Sequence, residues 1–260
     1  MSSLPIAVRV ALWVTAAHRD HRAGAVDTTA LRRAIRAAAV EVDTPISPER
    51  TLRSWAELGE HAVLMALPRA GDLTGLPRGP ANFTAAAVDA GECVYAPALG
   101  AALVPRLHRF GSLLEPGLEV RWDCYDCDPM PTHRLEALAI RDIEARLTQH
   151  VAAAVVSLDA AEALIWPAAE GSRGGTADSQ GWALPPGIPA RSMALIAHAA
   201  SIGDIAEDAL ARHATSVAAS GLNQRDAALR QLTAAADAAL ADATCVAALS
   251  MAGLRPGRPD

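Results

Sequence analysis

Residues 118–147 read LEVRWDCYDCDPMPTHRLEALAIRDIEARL, and the hydrophobic period changes partway along. Up to Cys127 the apolar residues alternate, with Leu118, Val120, Trp122 and Cys124 on one side, as in a half-buried strand. Asp128-Pro129 interrupts that pattern. Beyond Thr132 the spacing becomes three and four, through Ile140, Ile143, Leu147, Val151, Ala154 and Leu158, and predicts one long helix towards Leu164. A strand that hands over to a helix through a proline turn places the chain in the α+β class.

Working upstream, AVLMAL at 62–67, closed by Pro68, predicts a short strand, and residues 92–107 predict two more around a turn at Pro97 to Gly100. ANFTAAAVDAG lies between them and predicts a short helix. Three helices come first. One covers about 6–17, with Ile6, Val10, Trp13, Val14 and Ala17 at helical spacing; a second covers about 28–41; a third, about 47–58, starts at Ser47-Pro48-Glu49. Downstream, PAAEGSRGGTADSQGWALPPGIP at 167–189 has linker composition. Helices at about 190–219 and 223–252 follow as an antiparallel hairpin, with Gly221 just past the first and Asn223 capping the second. The expected architecture is mainly α: an antiparallel sheet of three or four strands, flanking N-terminal helices, a long helix, and the hairpin. The expected units are 1–166, a flexible linker at 167–189, a hairpin at 190–253 packing on or beside the first unit, and a disordered tail at 254–260.

Composition removes several functions. The apolar fraction is 51% but aromatics are 3%, so the core is built from Ala, Leu and Val. The chain contains no lysine; all 23 basic side chains are arginine. A Schiff-base enzyme, a Walker A loop and a kinase-type phosphate clamp each need a lysine. The net charge of −6 argues against broad binding to nucleic acid or an anionic membrane. No stretch approaches the roughly eighteen consecutive apolar residues expected of a bilayer span. The opening MSSLPIAVRVALWVTAA resembles a signal peptide, but Arg9 sits within it and HRDHRAG follows, so it predicts a helix. Four cysteines without a disulfide framework suit a reducing cytoplasm.

Five groups of residues carry candidate chemistry. In an extended strand Cys124 and Cys127 face opposite ways with Cα atoms about 10 Å apart, beyond the ~7 Å limit of a disulfide. Cys124 then reads as a small buried hydrophobe beside Trp122, and Asp123, Asp126 and Asp128 as solvated charges, without a metal. The loop from Gly71 to Pro80 interleaves Gly71, Gly75 and Gly79 with Arg69 and Arg78 ahead of a helix start, so Arg69, Gly75, Arg78 and Gly79 are candidates for holding an anion. The third helix would present Arg50 and Arg53 to DNA, although Asp43, Glu49, Glu57 and Glu60 flank it and would repel phosphate. In the hairpin, Leu195, Ile202 and Ala209 recur at seven beside Gly203; this seam packs on the protein's own body or forms an interaction surface. His18 and His21, three apart at a helix end, complement its dipole. No catalytic signature and no cofactor motif is present.

The runs GLPRGPANFTAAAVDAGE at 75–92, ALGAALVP at 98–105 and RWDCYDCDP at 121–129 together resemble a conserved actinobacterial family of unknown function, over about residues 5–165. The resemblance implies a bacterial cytoplasmic setting and carries no activity. The leading expectation is a non-enzymatic cytoplasmic protein acting through self-association or a protein partner. A ligand-binding domain or enzyme using the glycine loop comes second, and a DNA-binding regulator third.

Overall fold

The change of period at Asp128 is a change of layer, from a sheet to the helices that cover it. The computed structural model describes residues 4–22, 48–111, 116–162, 182–213 and 221–255. Helix α1 (Ile6–Arg22) is followed by α2 (Pro48–Glu57), β1 (Leu64–Ala66), α3 (Ala81–Ala90), β2 (Cys93–Ala96), β3 (Ala101–Gly111) and β4 (Pro116–Asp126). Four helices complete the chain: α4 (Thr132–Glu136), α5 (Ile140–Glu162), α6 (Ala190–His213) and α7 (Gly221–Met251). The predicted helix at 28–41 and most of the predicted linker lie outside the described residues.

The sheet is a four-stranded antiparallel meander in the order β1-β2-β3-β4. Leu64 pairs with Tyr95, Val94 with Leu103, and Leu103 with Cys124. Strands β1 and β2 are buried along their whole length, so they are continuous apolar runs without alternation. The outer edge of β1 is closed by helices. Thr15 of α1 accepts a hydrogen bond from the Val63 amide at 3.0 Å, and Cys245 of α7 donates to the Met65 carbonyl at 3.3 Å. Covering an edge in this way stops it templating another strand.

Helix α1 is buried over most of its circumference, with Ala7, Val8, Ala11, Leu12 and Val14 fully enclosed and only the stripe of Ile6, Arg9, Trp13 and Ala17 partly open. A helix start inside a protein leaves amides without partners. Here Glu92, just ahead of β2, accepts from the Ala7 amide at 2.7 Å. At the other end His18 is buried, its Nε2 3.0 Å from the Leu52 carbonyl, which ties α1 to α2.

Helix α7 is the axis of the helical layer and touches α6, α5, α1 and β1. Its second half, from Ala239 to Leu249, is almost entirely buried. Alanine allows that close approach and carries the best helix propensity. The hairpin therefore packs on the body of the protein, and the mainly-α α+β class stands.

Four local expectations change. The long helix from Thr132 is broken between α4 and α5, and Arg255 caps the carbonyls of Leu135 and Glu136 at the break, at 2.7 and 3.1 Å. Arg255 and Leu254, assigned to a disordered tail, thus have defined partners, the Leu254 amide donating to the Leu249 carbonyl at 3.0 Å. The end of the supposed flexible linker is pinned to α1: Trp13 donates to the Ala183 carbonyl at 2.9 Å, and Trp182, Leu184 and Ile188 pack against the core. Helix α7 begins at Gly221, so Asn223 lies in its first turn rather than ahead of it.

Candidate functional site

The glycine loop is built as a turn. The Arg69 and Asp72 backbones exchange two 2.9 Å hydrogen bonds, and Gly71 has φ +88°. Asp72 accepts from the Thr74 amide at 2.9 Å, and the Thr74 side chain first, then this amide, hold its carboxyl below the ordinary range. The Arg69 guanidinium points at carboxylates: its Nε meets Asp237 of α7, and an Nη lies 3.3 Å from Glu207 of α6. Burial pushes the Asp237 carboxyl up, and Arg69 pulls it part of the way back. Arg78 is exposed, and its carbonyl accepts from the Asp128 amide at 2.6 Å. A methyl group added at Gly79 would come within 2.8 Å of the Phe83 ring and 3.3 Å of the Cys127 Cβ, so that space is already filled. Gly75, at φ +81°, leaves its Cβ direction open to Ala66 at 3.9 Å. Arg69 and Arg78 thus serve different contacts, and the charge of Arg69 docks the C-terminal helices.

The C-x-x-C pair stays at the strand end, both thiols free. Cys124 is exposed, not buried, although Trp122, two residues earlier on the same face, is 5% accessible. Cys127 is half-buried, and its thiol is pushed up to about 11, first by burial and then by Asp128 and Asp126. Burial also raises the thiols of Cys93 and Cys245, the latter to about 12. Raised thiols are poor nucleophiles. Asp123 pairs with Arg106 of β3. Among the described residues, no group of three or more His, Cys, Asp or Glu side chains could hold a metal.

Arg50 and Arg53 lie exposed on α2, as a DNA-reading helix would require. The helix predicted ahead of them is outside the described residues. Glu60, grouped with the flanking surface acids, is instead buried. Its carboxylate accepts from the amides of Ala98 at 2.8 Å, Leu99 at 3.4 Å and His61 at 3.3 Å, holding the β2–β3 turn. Burial nevertheless raises its pKa, because those amides offset only part of the desolvation.

The hairpin seam faces inwards. Leu195 is 4% accessible, Ile202 and Ala209 are half-buried, and Gly203 lies against Ala236 of α7. An intermolecular role for Leu195 would require α6 to open. A cleft of about 100 Å³ lies beside this seam, lined by Leu4, Pro5, Gly203, Asp204, Glu207 and Asp237. Small-molecule sites usually enclose about 300–1,000 Å³, so this acidic cleft is small for a metabolite.

The feature sequence reasoning missed is the outer face of α5. One side of this helix packs on α7 through Ile143, Leu147 and Ala154. The opposite side should be polar, but VAAAVVSL at 151–158 carries no charge at all. Val155 and Val156 are consequently 51% and 69% accessible. The absence of any polar phase in that run was the available signal.

Among the described residues one helix, Gln224–Met251 within α7, is long and apolar enough to cross a membrane by length and composition, with mean hydropathy 1.4, yet 67% of that window is buried inside the protein. No curated protein and no solved structure matches the chain. Two family models do: the N-terminal domain of Rv1486c-like proteins over residues 7–136, and the C-terminal domain over residues 141–241. Their boundary falls at the break between α4 and α5, which groups α5 with α6 and α7. With half of the chain under the first model and most of the remainder under the second, the chain belongs to the Rv1486c-like family.

Proposed function

We infer that this is a non-enzymatic protein of the actinobacterial cytoplasm that works by associating with protein, either another copy of itself or a separate partner. The observation that carries the reading is the solvent-facing apolar side of α5, with Val155 and Val156 about half and two-thirds accessible. Valine side chains held in water on a well-packed helix gain free energy when covered, about 25 cal/mol per Å² of apolar surface. Contiguous patches of that kind mark interaction sites. Supporting arguments come from the other candidates. The Arg69 charge is already matched by Asp237 and Glu207, and the thiols that are buried are shifted away from reactivity.

The test is a double substitution, Val155→Glu with Val156→Glu, on the full chain. Both side chains are exposed, so the thermal melt should stay within a few degrees of the parent. Association, read by light scattering on a size-exclusion column and by affinity capture, should be lost. Association that is unchanged in the double variant would refute the reading.

A further inference from the structure

The exposed side of α5 has an order of its own. Arg141, Ala145, Thr148, Ala152, Val155 and Asp159 are all exposed, and they are spaced four, three, four, three and four. That is the spacing of a coiled-coil seam, lying on the side of α5 away from α7. Its middle is apolar or small and its two ends carry opposite charges. Arg141 and Asp159 lie eighteen residues apart, which is about five turns, so they share one azimuth roughly 27 Å apart along the helix.

We propose that α5 pairs with α5 of a second copy of this chain, antiparallel about a two-fold axis, with Arg141 of each copy against Asp159 of the other. In that register every layer is complementary. Arg141 meets the second copy's Asp159, Ala145 meets its Val155, and Thr148 meets its Ala152; the two-fold repeats each pair. The largest apolar side chain on the seam, Val155, faces one of the smallest, Ala145, which is how closely approaching helices fill space. Symmetry makes the argument specific to a second copy. A pattern that reads charge, small, medium, small, large, opposite charge is matched by its own reverse, as an isologous interface requires. A parallel pairing would set Arg141 on Arg141 and Asp159 on Asp159, and like charges at both ends would oppose it.

This inference rests on the association reading above and narrows it to one partner and one register. The experiment is sedimentation velocity of the full chain across a concentration series, with Arg141→Asp, Asp159→Arg, the two combined, and the Val155→Glu/Val156→Glu variant. Each single charge variant turns both symmetric attractive contacts into repulsive ones, so dimer dissociation should strengthen by about tenfold or more. The combined exchange restores opposite charges and should recover the parent affinity to within about threefold. Thermal melts of all variants, expected to be unchanged, exclude misfolding as the cause. A dimer indifferent to charge exchange, or one whose combined variant is no tighter than the singles, overturns the register. If such a dimer is still lost in the valine variant, the association reading survives alone. A chain that stays monomeric throughout overturns pairing with a second copy. Capture of a different protein through Val155 and Val156 would then leave only the broader reading, and absence of such capture would remove both.

Discussion

Replacing Glu60 tests whether a single buried carboxylate organises the sheet. Its side chain is 3% accessible and spans from the end of α2 to the β2–β3 turn, where it accepts from Ala98 at 2.8 Å and more weakly from Leu99 and His61. Glu60→Ala leaves one well-formed amide and two long-contact amides without an acceptor. A stranded buried donor costs about 1–3 kcal/mol. Counting the first in full and discounting the others, since these contacts are part-buried, gives about 2–3 kcal/mol. Glu60→Gln keeps one acceptor oxygen in place and should cost about 1 kcal/mol at low pH. The pH dependence, common to both variants, tests the raised pKa. Because burial raises the folded-state pKa of Glu60 above its unfolded value, this group contributes most to stability when protonated. That contribution is present below the unfolded carboxylate range and is lost as pH rises through the raised folded pKa. Neither glutamine nor alanine titrates, so both deficits should shrink by the same amount between about pH 4 and pH 7, with that of Glu60→Ala the larger at every pH. Urea unfolding followed by far-UV circular dichroism at several pH values measures this. A Glu60→Gln deficit that is constant or grows with pH would refute the account of the shift, and an alanine variant within about 0.5 kcal/mol of the parent would refute the role in the turn.

Glycines supply a matched set. Gly203→Ala should stabilise by about 0.5–1 kcal/mol through helix propensity, since its new methyl group only touches the Ala236 Cβ at 3.8 Å. Gly91→Ala, at φ +72° with open space, should cost about 1 kcal/mol of backbone strain. Gly100→Ala, at φ +70° with its methyl 2.4 Å from the Cys127 carbonyl, should cost well over about 2 kcal/mol; thermal melts rank the three. Arg69→Ala should cost about 1–2 kcal/mol at neutral pH, a discounted buried-pair value because Arg69 is nearly half exposed. That cost should fade as acid protonates Asp237, whose pKa is already raised by burial, and chemical denaturation at two pH values reads it. Under native conditions a thiol reagent should modify exposed Cys124 first and spare Cys93 and Cys245 until the chain unfolds, a sequence that peptide mass spectrometry resolves.

Periodic elements were legible because their burial is one-sided or complete over several residues. The strand at 118–127, the apolar run before Pro68 and the helix at Pro48 all lie where residue spacing puts them, within a residue or two. The errors arise where a distant group decides a local structure. Nothing near Ala137 in the sequence announces that the helix will break there with Arg255 capping the carbonyls of Leu135 and Glu136. Nothing near Glu60 shows that it will be enclosed by a turn almost forty residues away. Trp13 likewise fixes Ala183 across 170 residues, turning the end of a glycine- and proline-rich stretch into part of the core surface. The seam on α5 was visible as a charge-free run, but its significance depends on knowing which side α7 covers.

The same logic explains why an arginine that stands out in the sequence can prove to be a contact within the fold. In a chain without lysine, every fixed positive charge is a planar fork able to bridge two acceptors. The fold uses that geometry internally. Arg69 reaches Asp237 through Nε and Glu207 through Nη2; Arg191 of α6 meets both carboxylate oxygens of Glu144 on α5; Arg146 of α5 meets Asp242 of α7; Arg255 spans two carbonyls of α4. These contacts fasten the loop after β1, α4, α5 and α6 around α7, whose own surface is too rich in alanine to supply large interlocking side chains. Asp237 and Asp242 are raised by burial, so each carboxylate is costly to leave unmatched, and the arginine facing it is committed. Function is then better sought away from these contacts. On α5, the charges at Arg141 and Asp159 bracket a surface that needs an opposite of the same shape, and the chain itself has that shape.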